Sequence, residues 1–280
     1  MSKTNELIEK LTGKARQKEA VGDAYSTVKL ARAKDRLSTE DMAHHILDDF
    51  IELHGDRYYG DDKSIVSGVG FLAGRPVTLI GSQKGHTLDE NIARNFGSSY
   101  PEGYRKAYRM MEQAEKFQRP VLTVVNTAGA YCSPEAESRG IGSAIAQNLL
   151  LMSQLTVTIV TLIVGEGGSG GALALAFSNK VWMMQHSMYS VLSPEGFASI
   201  LYKDANLAKE AANKMKLTPS DLLDLGVIER IIIEENESGS IQKKALMAQL
   251  KADLILELSQ YDHLSPEEIV AQRQARFNRF

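Results

Sequence analysis

Cysteine is nearly absent. Cys132 is the only one in 280 residues, so the chain cannot close an internal disulfide or build a thiolate zinc site from its own residues. That excludes a disulfide-stapled secreted scaffold and fits a reducing compartment. A strong excess of either charge is missing too: the net charge is −3 with 24% charged residues, which argues against bulk attraction to nucleic acid or to anionic membranes. The longest apolar run is broken by threonines well short of a bilayer span. Met1-Ser2-Lys3-Thr4-Asn5-Glu6 lacks the apolar core of a signal peptide, so the sequence reads as cytoplasmic. Internal repeats and low-complexity tracts are also lacking. With 43% hydrophobic residues, the chain can bury a substantial core in one large domain, with or without helical appendages.

Glycine, by contrast, is concentrated. Gly165-Glu166-Gly167-Gly168-Ser169-Gly170-Gly171 places five glycines in seven positions, between the β-branched run Thr156 to Val164 and the helix-forming Ala172-Leu173-Ala174-Leu175-Ala176. A strand that ends in glycines and opens into a helix leaves N–H groups aimed at one spot, where the helix dipole adds positive potential. Such a spot suits an anion, or an oxygen that becomes anionic during a reaction.

Three familiar signatures fit the letters, and each is limited by what its chemistry also needs. Gly165-x-Gly167-x-x-Gly170 has the dinucleotide spacing, yet no Asp or Glu occurs between Gly171 and Pro194 to hold a ribose. A phosphate-binding loop would need a lysine after its last glycine, and Gly170-Gly171-Ala172 has none. Gly167-x-Ser169-x-Gly171 matches the nucleophile elbow of α/β-hydrolases, with Asp204 or Asp221 available as acid. Its histidine would have to be His186, close to the serine in a predicted strand, or His263, in a charged C-terminal stretch. A serine hydrolase using Ser169 is therefore the minor reading, and an oxyanion hole of main-chain N–H groups the major one.

Along the chain, residues up to about Arg36 are charged and peripheral. Ser38-x-x-Asp41 predicts a capping box opening a helix that carries Met42, Ile46 and Phe50 with Leu47 and Ile51 on one face. Ile65 to Leu72 and Val77 to Ile80 read as strands around a Gly74-Arg75-Pro76 turn. Pro101 to Gln118 reads as a helix whose Tyr104, Tyr108, Met111 and Ala114 stripe is core. A strand from Pro120 to Val125 ends in a second glycine-bearing loop, Asn126 to Pro134, followed by a helix from about Glu135 to Ser153. Two successive strand-loop-helix units place both loops at one end of a parallel sheet, so Gly129-Ala130 and Gly170-Gly171 are expected to face one pocket. Short strands follow at Lys180 to Gln185 and Met188 to Leu192, then a helix start at Ser193-Pro194. A later strand runs from Val227 to Glu234, and Leu246, Leu250, Leu254 and Leu258 mark a helix packed on the body or on a partner.

These residues carry a resemblance. Gly165 to Ala174, Tyr189-Ser190-Val191-Leu192-Ser193-Pro194-Glu195-Gly196, Pro101-Glu102-Gly103-Tyr104-Arg105-Lys106-Ala107 and Arg94-Asn95-Phe96-Gly97, in that family's order, resemble the carboxyltransferase alpha subunit of bacterial acetyl-CoA carboxylase from about Leu37 onward. The resemblance implies an α/β, crotonase-like (ClpP/crotonase) fold of repeated ββα units: a helical extension over 1–37, a core over 38–235 and a C-terminal helical segment over 236–280. It implies transfer of a carboxyl group from carboxybiotin, on a biotin carboxyl carrier protein, to acetyl-CoA. The product would be malonyl-CoA, in the first committed step of fatty-acid synthesis. The implied partners are a zinc-bearing beta subunit in an α2β2 heterotetramer, the carrier protein and biotin carboxylase, with no metal held by this chain.

Within that resemblance, Gly170 and Gly171 form the backbone hole for the biotin ureido oxygen, Gly129 and Ala130 rank second, and Gly167, Gly168 and Ser169 line the cofactor. The hole for the thioester enolate and most CoA contacts would belong to the beta subunit. Glu166 is expected to point away from the developing anion or to cap a neighbour. Lys84, His86 and Arg94 read either as contacts to CoA phosphates or a partner chain, or as a solvated basic loop, and Cys132 reads as a small packing residue. The chain departs from the family's Asp-Thr-Pro-Gly-Ala-Tyr-Pro-Gly at Asn126 to Ser133, and from Arg-Gly-Gln at Arg139-Gly140-Ile141. Those changes predict a looser first loop, and the alternative they keep open is a catalytically weak subunit that completes an assembly and docks the carrier.

Overall fold

The computed structural model describes residues 23–236 and 239–280. The expectations for residues before Asp23 lie outside that range. The chain opens with α1 (Ala24–Ala31), capped by the Asp23 side chain, and α2 (Thr39–Ile46), where Ser38 and Asp41 form the capping box read from the sequence. That second helix stops at Ile46 rather than running on to Ile51. Phe50 and Ile51 belong to β1 (Asp48–Glu52), an edge strand whose register slips between Asp48 and Ile51, with Asp49 at φ 51°.

β2 (Ile65–Leu72) and β3 (Arg75–Ser82) make an antiparallel hairpin. Its turn is Ala73-Gly74, both left-handed at φ 49° and 82°, the conformation that a two-residue loop needs to follow the strand twist. The turn thus lies one step earlier than the Gly74-Arg75-Pro76 reading, and Arg75 and Pro76 are already in the strand. Next come α3 (Leu88–Ala93), α4 (Pro101–Lys116) and β4 (Val121–Thr127). The helix predicted over Glu135 to Ser153 is two, α5 (Pro134–Ser138) and α6 (Ile141–Gln154), separated at Gly140 with φ 81°.

β5 (Ile159–Gly168) leads into α7 (Ser169–Ala176), then β6 (Lys180–Met184), β7 (Met188–Ser190) and α8 (Pro194–Leu201). The remaining elements are α9 (Ala208–Met215), α10 (Pro219–Asp224), β8 (Arg230–Ile232), α11 (Lys243–Ser259) and α12 (Pro266–Phe277). Strand order is β1-β2-β3-β4-β5-β6-β8, with β7 paired to the far end of β5. The pairings from β3 to β8 are parallel.

Both faces of this sheet are covered, which is why its central strands are apolar throughout. Leu122, Val124, Val160, Leu162 and Val164 point to one face, against Met42 and Ile46 of α2 and Leu246, Leu250, Leu254 and Leu258 of α11. Val121, Val125, Ile159 and Ile163 alternate to the other, against Ala107, Met110 and Met111 of α4, Met152 of α6 and Leu175 of α7. The leucine series of α11 is thus spent on the body of this chain. Among the described residues no helix is long and apolar enough to cross a membrane.

Candidate active site

The two glycine-bearing loops meet at the carboxyl end of the parallel strands. β4 and β5 pair from Val121–Ile159 through Val125–Ile163, and after an irregularity Thr127 stands opposite Gly167. Glycines allow the close approach: a β-carbon on Gly168 would run into the carbonyl of Ala128, and one on Gly165 into the Asn126 side chain. Asn126 ties the loops together, its Oδ1 accepting from the Glu166 N–H at 3.1 Å and its own N–H donating to Ser82 Oγ at 2.6 Å. Despite its departures from the family pattern, the first loop is firmly held. Thr127 Oγ1 donates to the Gly129 carbonyl at 2.8 Å and accepts the Gly129 N–H at 3.1 Å, while Tyr131 N–H donates to the Ser99 carbonyl at 2.9 Å.

That arrangement corrects one expectation. With its N–H bonded to Thr127, Gly129 is not a free donor; its φ of 147° makes it a hinge that carries the chain to Ala130. Gly167 and Gly168, read from the sequence as loop, are the last residues of β5, buried and paired with Tyr189 and Ser190 of β7. They shape the turn from behind. Ser169 then takes a left-handed φ of 55° and starts α7, which no side chain caps.

Gly170 and Gly171 are therefore the second and third residues of a helix, ahead of the first position whose N–H reaches a carbonyl one turn back. The two differ in surroundings. A β-carbon on Gly171 would lie 2.5 Å from the Ala130 nitrogen, whereas one on Gly170 would meet nothing nearer than Ile145 Cγ2 at 3.8 Å. So Gly171 is pressed against the first loop, and Gly170 is half-buried with room in front of it. The backbones of Gly171 and Ala130 are in close contact at the start of α7, the positive end of a helix dipole.

Charge around the corner is balanced away from it. Glu166 is buried, and burial acts to raise its pKa, but Lys84 and Arg32 override that and hold its carboxyl below the usual range. Lys84 Nζ is 2.6 Å from Glu166 Oε2, Arg32 Nε is 2.7 Å from Oε1, and Arg32 continues to Glu195 at 2.8 Å. The Glu166 carboxylate is thus neutralised within the protein. Lys84 is part of that pairing, while Arg94 reaches Glu40 at 2.6 Å and His86 is exposed. Arg32 gave no signal in the sequence, because its partner lies 134 residues away.

No relay serves Ser169 among the described residues. His186 Nε2 lies 2.8 Å from Glu235 Oε1, and His263 is exposed. Cys132 is also exposed, which corrects its reading as a packing residue.

The family described as acetyl co-enzyme A carboxylase carboxyltransferase-like matches residues 2–280. The chain belongs to that family. Acetyl-coenzyme A carboxylase carboxyl transferase subunit alpha of Streptococcus gordonii is 52% identical over 253 residues, covering 90% of this chain and 97% of the relative. The same-named protein of Streptococcus equi subsp. zooepidemicus is 53% identical over 258 residues, covering 92% and 99%. Among solved structures, a Pseudomonas malonate decarboxylase hetero-tetramer in complex with coenzyme A superposes with a TM-score of 0.66 at 18% identity, over 87% of this chain and 98% of the other. The transcarboxylase 12S core superposes with a TM-score of 0.65 at 17% identity, over 84% and 45%. The fold is the crotonase-like α/β fold of carboxyltransferases.

Proposed function

We propose that this chain is the alpha subunit of an acetyl-CoA carboxylase carboxyltransferase. It transfers the carboxyl group of carboxybiotin, presented by a biotin carboxyl carrier protein, to acetyl-CoA, and yields malonyl-CoA in the cytoplasm. The observation that carries this reading is the uncapped start of α7 at Gly170 and Gly171, packed against the Ala130 backbone. Two or three neutral donors at a helix start suit an oxygen that gains partial charge, such as that of a cyclic urea. A phosphate would favour an unpaired cation, and the nearby cations Lys84 and Arg32 are already bound to carboxylates.

When bound, biotin supplies the carboxyl group and, once freed of it, a ureido nitrogen able to take up the methyl proton of acetyl-CoA. The chain's own part is to donate from Gly170 and Gly171 to the ureido oxygen, with Ala130 beside them. Pairing Glu166 with Lys84 and Arg32 keeps a bare carboxylate from opposing the new charge. The thioester end is left to a zinc-bearing beta subunit, in an α2β2 assembly that also works with biotin carboxylase. Val191, Ile200 and Leu201, exposed next to β7 and on α8, support a partner surface close to the site.

The test is malonyl-CoA decarboxylation by the purified alpha–beta complex carrying Gly170→Pro, because a β-carbon at Gly170 meets nothing nearer than 3.8 Å. Removing that donor is expected to lower turnover by about 10²–10³-fold while the complex still assembles. An assembled complex with unchanged turnover would overturn the backbone-hole assignment. A wild-type complex that assembles with almost no activity would instead favour the docking-subunit alternative.

A further inference from the structure

Tyr104 belongs to the apolar stripe of α4 and is only 1% exposed, yet its hydroxyl lies against the second loop at Gly171. A β-carbon on Gly171 would lie 2.6 Å from that oxygen and 2.5 Å from the Ala130 nitrogen. The hydroxyl thus occupies the junction where the two donor-bearing segments touch. Its own surroundings are ordered and polar. Ser99 Oγ lies beside it and accepts from Ser64 Oγ at 2.8 Å; the Ser64 N–H donates to Asp62 Oδ1 at 2.8 Å. Asp62 Oδ2 accepts the Tyr100 N–H at 2.7 Å, and the Tyr100 ring leans on Tyr131 with centroids 4.4 Å apart. Since the Ser99 carbonyl also holds Tyr131, residues 99–104 grip the first loop one position after Ala130 and press on the second at Gly171. Burial pushes the Tyr104 phenol above its usual range, so it stays protonated at neutral pH.

We propose that Tyr104 is a positioning residue for the backbone hole, its hydroxyl setting the spacing between the Ala130 and Gly171 N–H groups. This rests on the carboxyltransferase reading of that corner. A hole of preorganised donors depends steeply on placement, a misplacement of about 1 Å costing on the order of 10²-fold in rate. Loss of one hydroxyl at the junction shifts the donors by less. Tyr104→Phe in the alpha–beta complex is therefore expected to lower kcat for malonyl-CoA decarboxylation roughly 10-fold, with KM for malonyl-CoA unchanged. Tyr108→Phe, on the same helix and half-buried, is expected to change neither.

A kcat within about twofold of wild type for Tyr104→Phe would overturn the proposal, as would a parallel change in kcat and KM. Should that variant fail to assemble, Ser99→Ala removes the hydroxyl beneath the tyrosine, leaves the ring in place and carries the same expectation. Failure of both variants to assemble would show a folding role and overturn the positioning one. The two readings fail separately: a silent Tyr104→Phe with an impaired Gly170→Pro removes only the role of Tyr104, whereas a silent Gly170→Pro removes the hole itself.

Discussion

The two ends of the parallel sheet treat their backbone groups in opposite ways. At the carboxyl end, the first turn of α7 has no side-chain cap, and the Gly170 and Gly171 N–H groups precede the first helical acceptor. At the amino end, the fully buried Arg273 of α12 gathers acceptors: Met152 O and Leu155 O at 2.6 and 2.7 Å, Val157 O at 2.6 Å, and Asn179 Oδ1 at 2.8 Å. These carbonyls close the end of α6 and lead into β5, so a guanidinium supplies what a C-terminal cap otherwise would. No carboxylate is among those acceptors, and burial lowers the Arg273 pKa to about 10, which still leaves it charged at neutral pH. One pole spends a buried cation on satisfying its backbone; the other starts a helix with no side-chain cap. On the proposed function, the difference separates the stabilising end of the fold from the reactive one.

Arg273→Ala should break the closed pole. It strands several buried carbonyls, and unfolding by urea is expected to show a loss of about 3–5 kcal/mol. A loss below about 1 kcal/mol would mean that the carbonyls find other donors, and the contrast would fail.

Glu166→Gln tests the balance at the open pole. Arg32 is about one third exposed, so solvent screening reduces what a fully buried pair would give, and the expected loss at pH 7 is about 2 kcal/mol. Because the folded pKa of Glu166 is depressed, its contribution is present above the usual carboxylate range and is lost as the pH falls through the folded value. Urea midpoints of variant and wild type should therefore converge toward acid pH; a gap that widens there would reverse the assigned sign. Ser265→Ala sharpens the picture at the smallest scale. It removes a capping box that starts the Arg273-bearing helix, and about 1 kcal/mol of stability should go without loss of turnover by the complex.

What the sequence made legible was local. Ser38-x-x-Asp41 marked a helix start because both partners lie within one turn, and the strand-loop-helix units placed Gly129-Ala130 beside Gly170-Gly171. The extent of α2 was misjudged since Met42, Ile46 and Phe50 keep helical spacing even where the chain bends into an edge strand. β5 was read too short because glycines carry no strand signal, although Gly167 and Gly168 are held by pairing with β7. The contacts of Thr127, Arg32 and Tyr104 with the two loops escaped for a different reason. A threonine in a loop, an arginine in a charged leader and a tyrosine in an apolar stripe have ordinary local readings, and only the folded neighbourhood gives each its task.

Arg32 also sets a time order on the molecule. Its two carboxylates lie 134 and 163 residues further along, so during synthesis the clasp cannot close until the ribosome has passed Glu195. A nascent chain halted before Glu166 has an early helix with neither acid to hold it. The shielding of Glu166 by Arg32 and Lys84 thus forms only once β1 to β4 have been made, and well before the Arg273 cluster at the opposite end of the sheet.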